Sequence, residues 1–180
     1  MGEDKIVYFV SFETILDSEQ FISKWNDYTR SKNIDRNVTM QQSVKKNMFR
    51  YIAQHRCNTG ELHFVFEKAR RSSRTPEVEI AAKLAGGYSI IQADRVNDTD
   101  ENESKVFAFL FDPAADLDLY RRLSSNNELN IYEAYFENCT YAFVLEFFVK
   151  NEQAAELMEL LKQYHITETG IYKECVLQSS

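Results

Sequence analysis

Hydrophobic positions along the first half of the chain switch between strand-like runs and helical spacing. Residues 6–12 are β-branched and aromatic, which predicts a buried strand, and Asp17 begins a segment with apolar residues at helical spacing. A turn signal at residues 58–60 separates two further strand-like runs and indicates a hairpin. The predicted order is strand, helix, hairpin, helix and strand, at 6–12, 17–28, 48–56 with 62–67, 77–85 and 88–92.

The same order returns in the second half. After an acidic stretch, the pattern predicts a strand, a short helix, a hairpin, a helix and a strand, at 106–111, 117–123, 129–137 with 141–149, 151–164 and 167–176. Each half therefore has the β-α-β-β-α-β order of a ferredoxin-like unit, and the fold class is α+β. We predict a first repeat at 1–95, a linker at 96–103 and a second repeat at 104–180.

Short sequence matches support an internal duplication. Residues 51–53 (Tyr-Ile-Ala) align with 132–134 (Tyr-Glu-Ala), and 63–67 align with 142–146. A ferredoxin-like unit leaves one sheet face bare, and two such units packed sheet to sheet cover each other's bare faces. One chain could then be a monomer with an internal pseudo-dimer, and a homodimer is the alternative.

The two predicted hairpins carry a resemblance to a known family. The segments 50–56 with 63–67, and 132–136 with 143–146, resemble the dimeric α/β barrel superfamily and are most similar to modules of the antibiotic biosynthesis monooxygenase type. The chain departs from those modules where Lys68 replaces an aromatic residue and where the hairpin lacks a proline-bearing turn. The resemblance implies a pseudo-dimeric α/β barrel.

Such barrels include cofactor-independent monooxygenases, isomerases, haem proteins and modules without activity, so the fold does not select an activity. The resemblance implies a protein that binds or transforms a small organic molecule between its two sheets. A non-catalytic ligand-binding or protein-interaction module is the alternative, and whether the chain is an enzyme stays open. In haem-binding barrels a late helix of the second repeat supplies a histidine, and His165 has that position.

Alternation along the strands selects the candidate site residues. It directs a polar set into the space between the sheets: Arg50, Gln54, Arg56, His63, Glu67, Glu133, Tyr135 and Glu146. His63 and Glu67 share a face and form a candidate catalytic acid–base pair. The candidate ligand-binding residues are Arg50, Gln54, Arg56, Tyr135 and Glu146. The same charges could instead form salt bridges that hold the two halves together.

Glu67 and Glu146 are predicted to be equivalent in the two repeats. Glu67 lies near His63 and two arginines, which favours its carboxylate, whereas the apolar neighbours of Glu146 favour its protonated form. We therefore expect Glu146 to be the more easily protonated of the two.

Composition narrows the function classes. The 180 residues include 21 Lys and Arg against 28 Asp and Glu, a net charge of −7, which argues against binding to nucleic acid. No run of 18 apolar residues predicts a membrane span, and the acidic start does not resemble a signal peptide, so a cytoplasmic location is expected. The three cysteines lack CxxC spacing, and no metal site or cofactor is predicted.

Overall fold

Eight antiparallel strands among the described residues close into one barrel. The computed structural model describes residues 6–31, 38–44, 49–58, 78–95, 100–137, 139–166 and 168–175, with side chains for all of these except 28–31 and 78–85. The strands are β1 (Ile6–Thr14), β2 (Val38–Ser43), β3 (Tyr51–Cys57), β4 (Val78–Ala93), β5 (Glu103–Leu110), β6 (Glu128–Ala134), β7 (Phe143–Lys150) and β8 (Thr169–Glu174). The described α-helices are α1 (Ser18–Ser31), α2 (Leu117–Ser124) and α3 (Ala154–Gln163).

The first half of the barrel (β1–β4) and the second half (β5–β8) follow one plan. Across the sheet the strands run β4-β1-β3-β2 and then β8-β5-β7-β6 before the barrel closes. The registers also match, since Phe9 on β1 lies opposite Gln54 on β3, and Phe107 on β5 lies opposite Glu146 on β7. The predicted fold class, two ferredoxin-like repeats packed as a pseudo-dimeric α/β barrel, is confirmed.

The two halves are joined at two seams, β2 with β8 and β4 with β6. Equivalent tyrosines fasten these seams. The Tyr88 hydroxyl of β4 donates to the carbonyl oxygen of Tyr141 at 3.1 Å, and the Tyr172 hydroxyl of β8 donates to that of Phe49 at 2.8 Å. The last strand of each half is therefore hydrogen-bonded to the other half. Tyr88 of β4 bonds to the segment before β7, and Tyr172 of β8 bonds to the segment before β3.

Three apolar layers fill the molecule. Inside the barrel, aromatic side chains from both halves meet edge to face, with Phe9 5.1 Å from Tyr132 and 6.4 Å from Phe107 between ring centroids. A second layer lies under α1, where Phe21 stacks on Tyr51. A third lies under α2 and α3 against β5–β8. The first of these layers consists of side chains that point into the closed barrel.

Helix α1 begins where the sequence predicts. The Asp17 carboxylate accepts from the Gln20 backbone N–H at 2.9 Å, and the Gln20 side-chain oxygen accepts from the Asp17 N–H at 3.3 Å. This reciprocal pair is a capping box, and the predicted helix start at Asp17 is confirmed.

In the first half, β3 hydrogen-bonds to β1 along one edge and to β2 along the other. The predicted hairpin partner at 62–67 lies outside the described residues. β2 was not predicted, because the run Val38–Ser43 is half polar and resembles a loop. In the second half, β6 and β7 pair as predicted.

The predicted helix at 77–85 is wrong in the part that the structure describes. Residues 78–85 belong to β4, which pairs with β1 on one side and with β6 on the other. Gly86 and Gly87 continue that strand rather than ending a helix. A Cβ atom on Gly86 would lie 2.7 Å from the Cys139 Sγ, so this glycine permits a close approach between β4 and the β6–β7 connection.

Candidate functional site

A buried ion pair lies inside the barrel. Glu146 projects inward from β7 and is 1% exposed, and the Lys105 Nζ on the neighbouring β5 lies 3.3 Å from its Oε2 atom. Three neutral donors complete the surroundings of the carboxylate. Tyr132 and Asn130 donate to Oε1 at 2.7 and 3.0 Å, and Gln54 donates to Oε2 at 2.9 Å. Both carboxylate oxygens are therefore hydrogen-bonded, as a buried charge requires.

These contacts decide the charge of Glu146. Burial alone would raise the pKa of a carboxyl group, but Lys105 and the three hydrogen bonds oppose it and hold the pKa of Glu146 below its ordinary value. The premise that the surroundings of Glu146 favour its protonated form is wrong, and the comparison with Glu67 stays a prediction because Glu67 lies outside the described residues. That premise considered neighbours along the strand, whereas Lys105, Gln54 and Tyr132 come from other strands.

The register also corrects the predicted equivalence of Glu67 and Glu146. The residue of the first half at the position of Glu146 is Gln54, since both lie opposite an equivalent phenylalanine of the neighbouring strand. His63 and Glu67 lie outside the described residues, so their catalytic role stays a prediction.

Arg56, another predicted site residue, acts electrostatically on Tyr132, which is hydrogen-bonded to Glu146 of the ion pair. It shares an inward face with Gln54 and is half-buried. Burial raises the pKa of Tyr132 well above its usual value, Glu146 adds to the rise, and the positive charge of Arg56 opposes it. Arg56 is therefore within electrostatic range of the Tyr132 hydroxyl.

Arg50 and Tyr135 lie away from the ion pair. Arg50 sits at the other end of β3, where its guanidinium donates to the Thr14 carbonyl oxygen at 2.9 Å and lies over the Tyr51 ring. Tyr135 is 47% exposed and packs edge-on against Phe136. Glu133 is exposed as well. On β6 the opposite set of residues, including Tyr132, faces the barrel interior.

A cavity of about 430 Å³ lies at the end of β5. The β5–α2 connection forms one side and the connection from α3 to β8 forms the other. We call it the β5-end cavity. Its aromatic and ionisable lining residues are Phe109, Phe111, Tyr120, Tyr164, Asp112, Asp116, His165 and Glu168.

Two aspartates shape the first side of the β5-end cavity. The Asp112 carboxylate accepts from the Ala114 N–H at 2.8 Å, a local turn that ends the strand before Pro113. Asp116 caps α2, accepting from the N–H groups of Asp118 and Leu119 at 3.1 and 3.3 Å. The turn at Asp112 and the helix cap at Asp116 thus form part of one wall of the cavity.

His165 forms part of the second side in an unusual backbone conformation. It follows the last turn of α3 with φ 63°, and its N–H donates to the Lys162 carbonyl oxygen at 3.0 Å. Helices commonly end with a residue in this left-handed conformation, but that residue is usually glycine. The chain places a histidine there instead, and this residue lines the cavity.

Glu168 presents the most unusual polar atom of the cavity. Its side chain is hydrogen-bonded to the hydroxyl of Tyr141, whose pKa burial and that bond both raise, so Tyr141 remains a protonated donor. The Glu168 Oε2 atom is buried and has no hydrogen-bond partner among the described residues. A buried carboxylate oxygen without a donor is costly, which is why such atoms merit a functional explanation.

Haem does not fit this lining. His165 has the position from which haem-binding barrels take a histidine, and it lines the β5-end cavity. Haem also carries anionic propionates, which proteins hold with cationic donors. The described lining contains Asp112, Asp116 and Glu168 but neither lysine nor arginine, so we assign no haem to the cavity.

The part of the chain that the structure describes contains neither a cluster of metal ligands nor a helix that could span a membrane. No group of three His, Cys, Asp or Glu side chains there could hold a metal ion. None of the described helices has the length and hydrophobicity that crossing a bilayer requires.

No family model and no curated protein matches the sequence. Solved structures do match, over nearly the whole chain. A candidate chlorite dismutase has a TM-score of 0.63 at 10% identity, with 97% of this chain and 96% of that one covered. A mutant chlorite dismutase from Candidatus Nitrospira defluvii in complex with cyanide gives 0.61 at 11% identity, covering 98% and 93%.

The chlorite dismutase of that organism in complex with imidazole gives a TM-score of 0.59 at 10% identity, covering 98% of this chain and 93% of the other. At such low identity the likeness concerns the fold. The chain has the dimeric α/β barrel fold of these proteins.

Proposed function

We propose that this chain binds a small organic molecule in the β5-end cavity. The observation that carries the proposal is the cavity itself, whose volume of about 430 Å³ lies within the range of small-ligand sites. Aromatic walls with a few polar groups are typical of such sites. The names of two structural neighbours, complexes with cyanide and with imidazole, describe proteins of this fold that hold small ligands.

The lining includes both apolar and polar residues, which would make different contacts with a ligand. Phe109, Phe111 and Tyr120 offer apolar surface for the body of a ligand. Glu168 and His165 offer polar atoms that would fix its orientation. The aspartates at the start of α2 hold their loop through backbone hydrogen bonds, which keeps one wall in place before a ligand arrives.

A cavity-filling variant tests this proposal. Ala114 lines the β5-end cavity, so Ala114→Trp should fill it and abolish binding of fragments that the parent protein binds. Ala155→Trp is the matched control, because Ala155 is exposed on α3 and does not line the cavity. Saturation-transfer NMR with a library of aromatic fragments gives the measurement. If no fragment binds the parent, or if Ala114→Trp binds as the parent does, the proposal is wrong.

Conversion of the bound molecule is a second candidate function. His165 and Glu168 both line the β5-end cavity, and two proton-transfer groups at one site are what an isomerisation needs. Of the reactions that the resemblance implies, this pair favours isomerase-like chemistry over cofactor-independent oxygenation. Exchange of acidic ligand protons with deuterated solvent, accelerated by the parent and not by His165→Ala, would support it.

Several wider predictions accompany this function. The domain bounds 1–95, 96–103 and 104–180, and descent from a duplicated single repeat, stay predictions that the matching strand registers favour. A cytoplasmic location, monomeric or dimeric assembly, and the absence of nucleic-acid and membrane partners rest on the sequence.

A further inference from the structure

Two exposed aromatic residues meet at the β5-end cavity. Phe111, which follows β5, is 59% exposed, and Tyr164, which follows α3, is 44% exposed. Both line the cavity, and they belong to the connections that form its two sides. Single exposed apolar side chains are common on protein surfaces, but exposed rings that converge on one cavity are typical of a ligand site. A ligand in this cavity would therefore cover aromatic surface that is otherwise open to solvent.

The Phe111 ring is held in place by a buried neighbour. Its centroid lies 4.7 Å from that of Tyr141, which is 1% exposed. The Tyr141 ring packs on Phe109 at 5.2 Å between centroids, and its hydroxyl is hydrogen-bonded to Glu168. Its backbone carbonyl oxygen accepts from the Tyr88 hydroxyl at 3.1 Å. A surface that is ordered before the ligand arrives loses little conformational entropy on binding, so the Phe111 ring is suited to hold a ligand.

An aromatic ring discriminates between flat aromatic ligands and saturated ones. Ring pairs in offset-stacked or edge-to-face geometry gain free energy beyond the burial of their area. A saturated ligand with the same carbon skeleton buries at least as much apolar surface, so burial alone gives the aromatic ligand no advantage. Phe109 and Tyr120 add two further aromatic residues to the lining. The composition of the cavity therefore favours an aromatic ligand over a merely apolar one.

We propose that the ligand of the β5-end cavity is a flat aromatic molecule that stacks on the Phe111 ring, and that Phe111 selects aromatic ligands over saturated ones. This inference rests on the proposed function and adds to it the ligand class and the selecting residue. The ligand ring lies against Phe111 on one side of the cavity, and Tyr164 contacts it from the other.

Two probes that share one carbon skeleton test the inference. Naphthylmethanol is aromatic, decahydronaphthylmethanol is its saturated counterpart, and both are uncharged alcohols. Titration into the full chain by NMR should show tighter binding of the aromatic probe by about two- to tenfold, the contribution of an aromatic pair. Phe111→Leu should abolish this preference by weakening the aromatic probe alone. Phe111→Tyr keeps the ring and should keep the preference.

Phe136→Leu is the matched control. Phe136 is also an exposed phenylalanine, at 42%, but it packs edge-on against Tyr135 and does not line the cavity. The same substitution at this position should leave both affinities unchanged. Thermal unfolding of the three variants separates loss of binding from loss of fold, and light scattering compares their oligomeric state with that of the parent.

The outcomes distinguish the two proposals. If the saturated probe binds the parent as tightly as the aromatic one, the ligand class is wrong, and the cavity remains a ligand site when Ala114→Trp abolishes binding. An aromatic preference that survives in Phe111→Leu overturns the assignment to Phe111. So does a Phe111→Leu variant that changes only the oligomeric state, because the ring then packs between copies of the chain. Should no probe or fragment bind the parent, the proposed function falls, and the inference falls with it.

Discussion

Replacing His165 by glycine should make the protein more stable and a poorer binder. His165 holds φ 63° at the end of α3, a left-handed conformation that costs an L-residue about 1–2 kcal/mol. Glycine avoids that cost but gains about 0.4–1 kcal/mol of unfolded-chain entropy. Because His165 is exposed, removing its side chain forfeits little buried surface. The net gain in unfolding free energy is then about 0.5–1 kcal/mol.

For a chain of this length such a gain raises Tm by about 1–4 °C, which differential scanning calorimetry resolves. NMR titration of His165→Gly with an aromatic fragment that the parent protein binds should show weaker binding than the parent. Ser125→Gly is the control: Ser125 ends α2 with φ 52° and does not line the β5-end cavity, so this variant should gain stability and keep its affinity. A His165→Gly variant that is less stable than the parent, or that binds the fragment as the parent does, would refute the explanation that ligand binding favours histidine at this position.

Three further variants test the barrel. Lys105→Met should lower the unfolding free energy by about 3–5 kcal/mol in urea denaturation, because it leaves Glu146 buried without its cation; a loss below 1 kcal/mol would contradict this. Burial opposes ionisation of Glu146, but Lys105 and three hydrogen bonds lower its pKa, so its stabilisation is complete above the ordinary carboxyl pKa and is lost as pH falls through the lowered value. Glu146→Gln should therefore flatten the acid limb of stability against pH, and an unchanged limb would disprove the link. Gly86→Ala should cost about 1 kcal/mol in Tm-derived stability, and adding Cys139→Ala should restore most of it, since the clash is with Sγ.

The second half was predictable because its strands and helices differ clearly in period. Apart from Glu146, residues 143–149 of β7 are all apolar, and the apolar residues of α3 have helical spacing. In the first half, residues 78–85 mix apolar and small residues in a way that fits both periods, and the glycines that follow resemble a helix end. The segment is a strand because β4 pairs with β1 and with β6 in the folded chain.

The ion pair could be predicted only in part. Glu146 interrupts an apolar strand, which marks it as buried. Lys105 stands at the start of β5, where a lysine normally indicates the solvent-exposed end of a strand. On β6, Ile131 and Tyr132 are both apolar, so alternation does not decide which of them faces the barrel; helices α2 and α3 cover Ile131, and Tyr132 turns inward.

The β5-end cavity could not be predicted as one site. His165 and the aspartates are more than 45 residues apart in the chain, and they meet because β8 pairs with β5. A turn motif after a strand and a histidine after a helix are each ordinary alone. Only the strand order brings the two connections together.

The contact between Gln54 and Glu146 has a consequence for what the chain can evolve. The two residues occupy equivalent positions and touch each other, so they lie on the approximate twofold axis between the halves. A symmetric dimer of identical subunits must present the same residue from both sides of its axis. With both halves in one chain that restriction is lifted, and an amide can face a carboxylate at the centre of the barrel. At the neighbouring equivalent position one half has Lys105 and the other has Val7. Such a difference requires that the two halves be encoded separately.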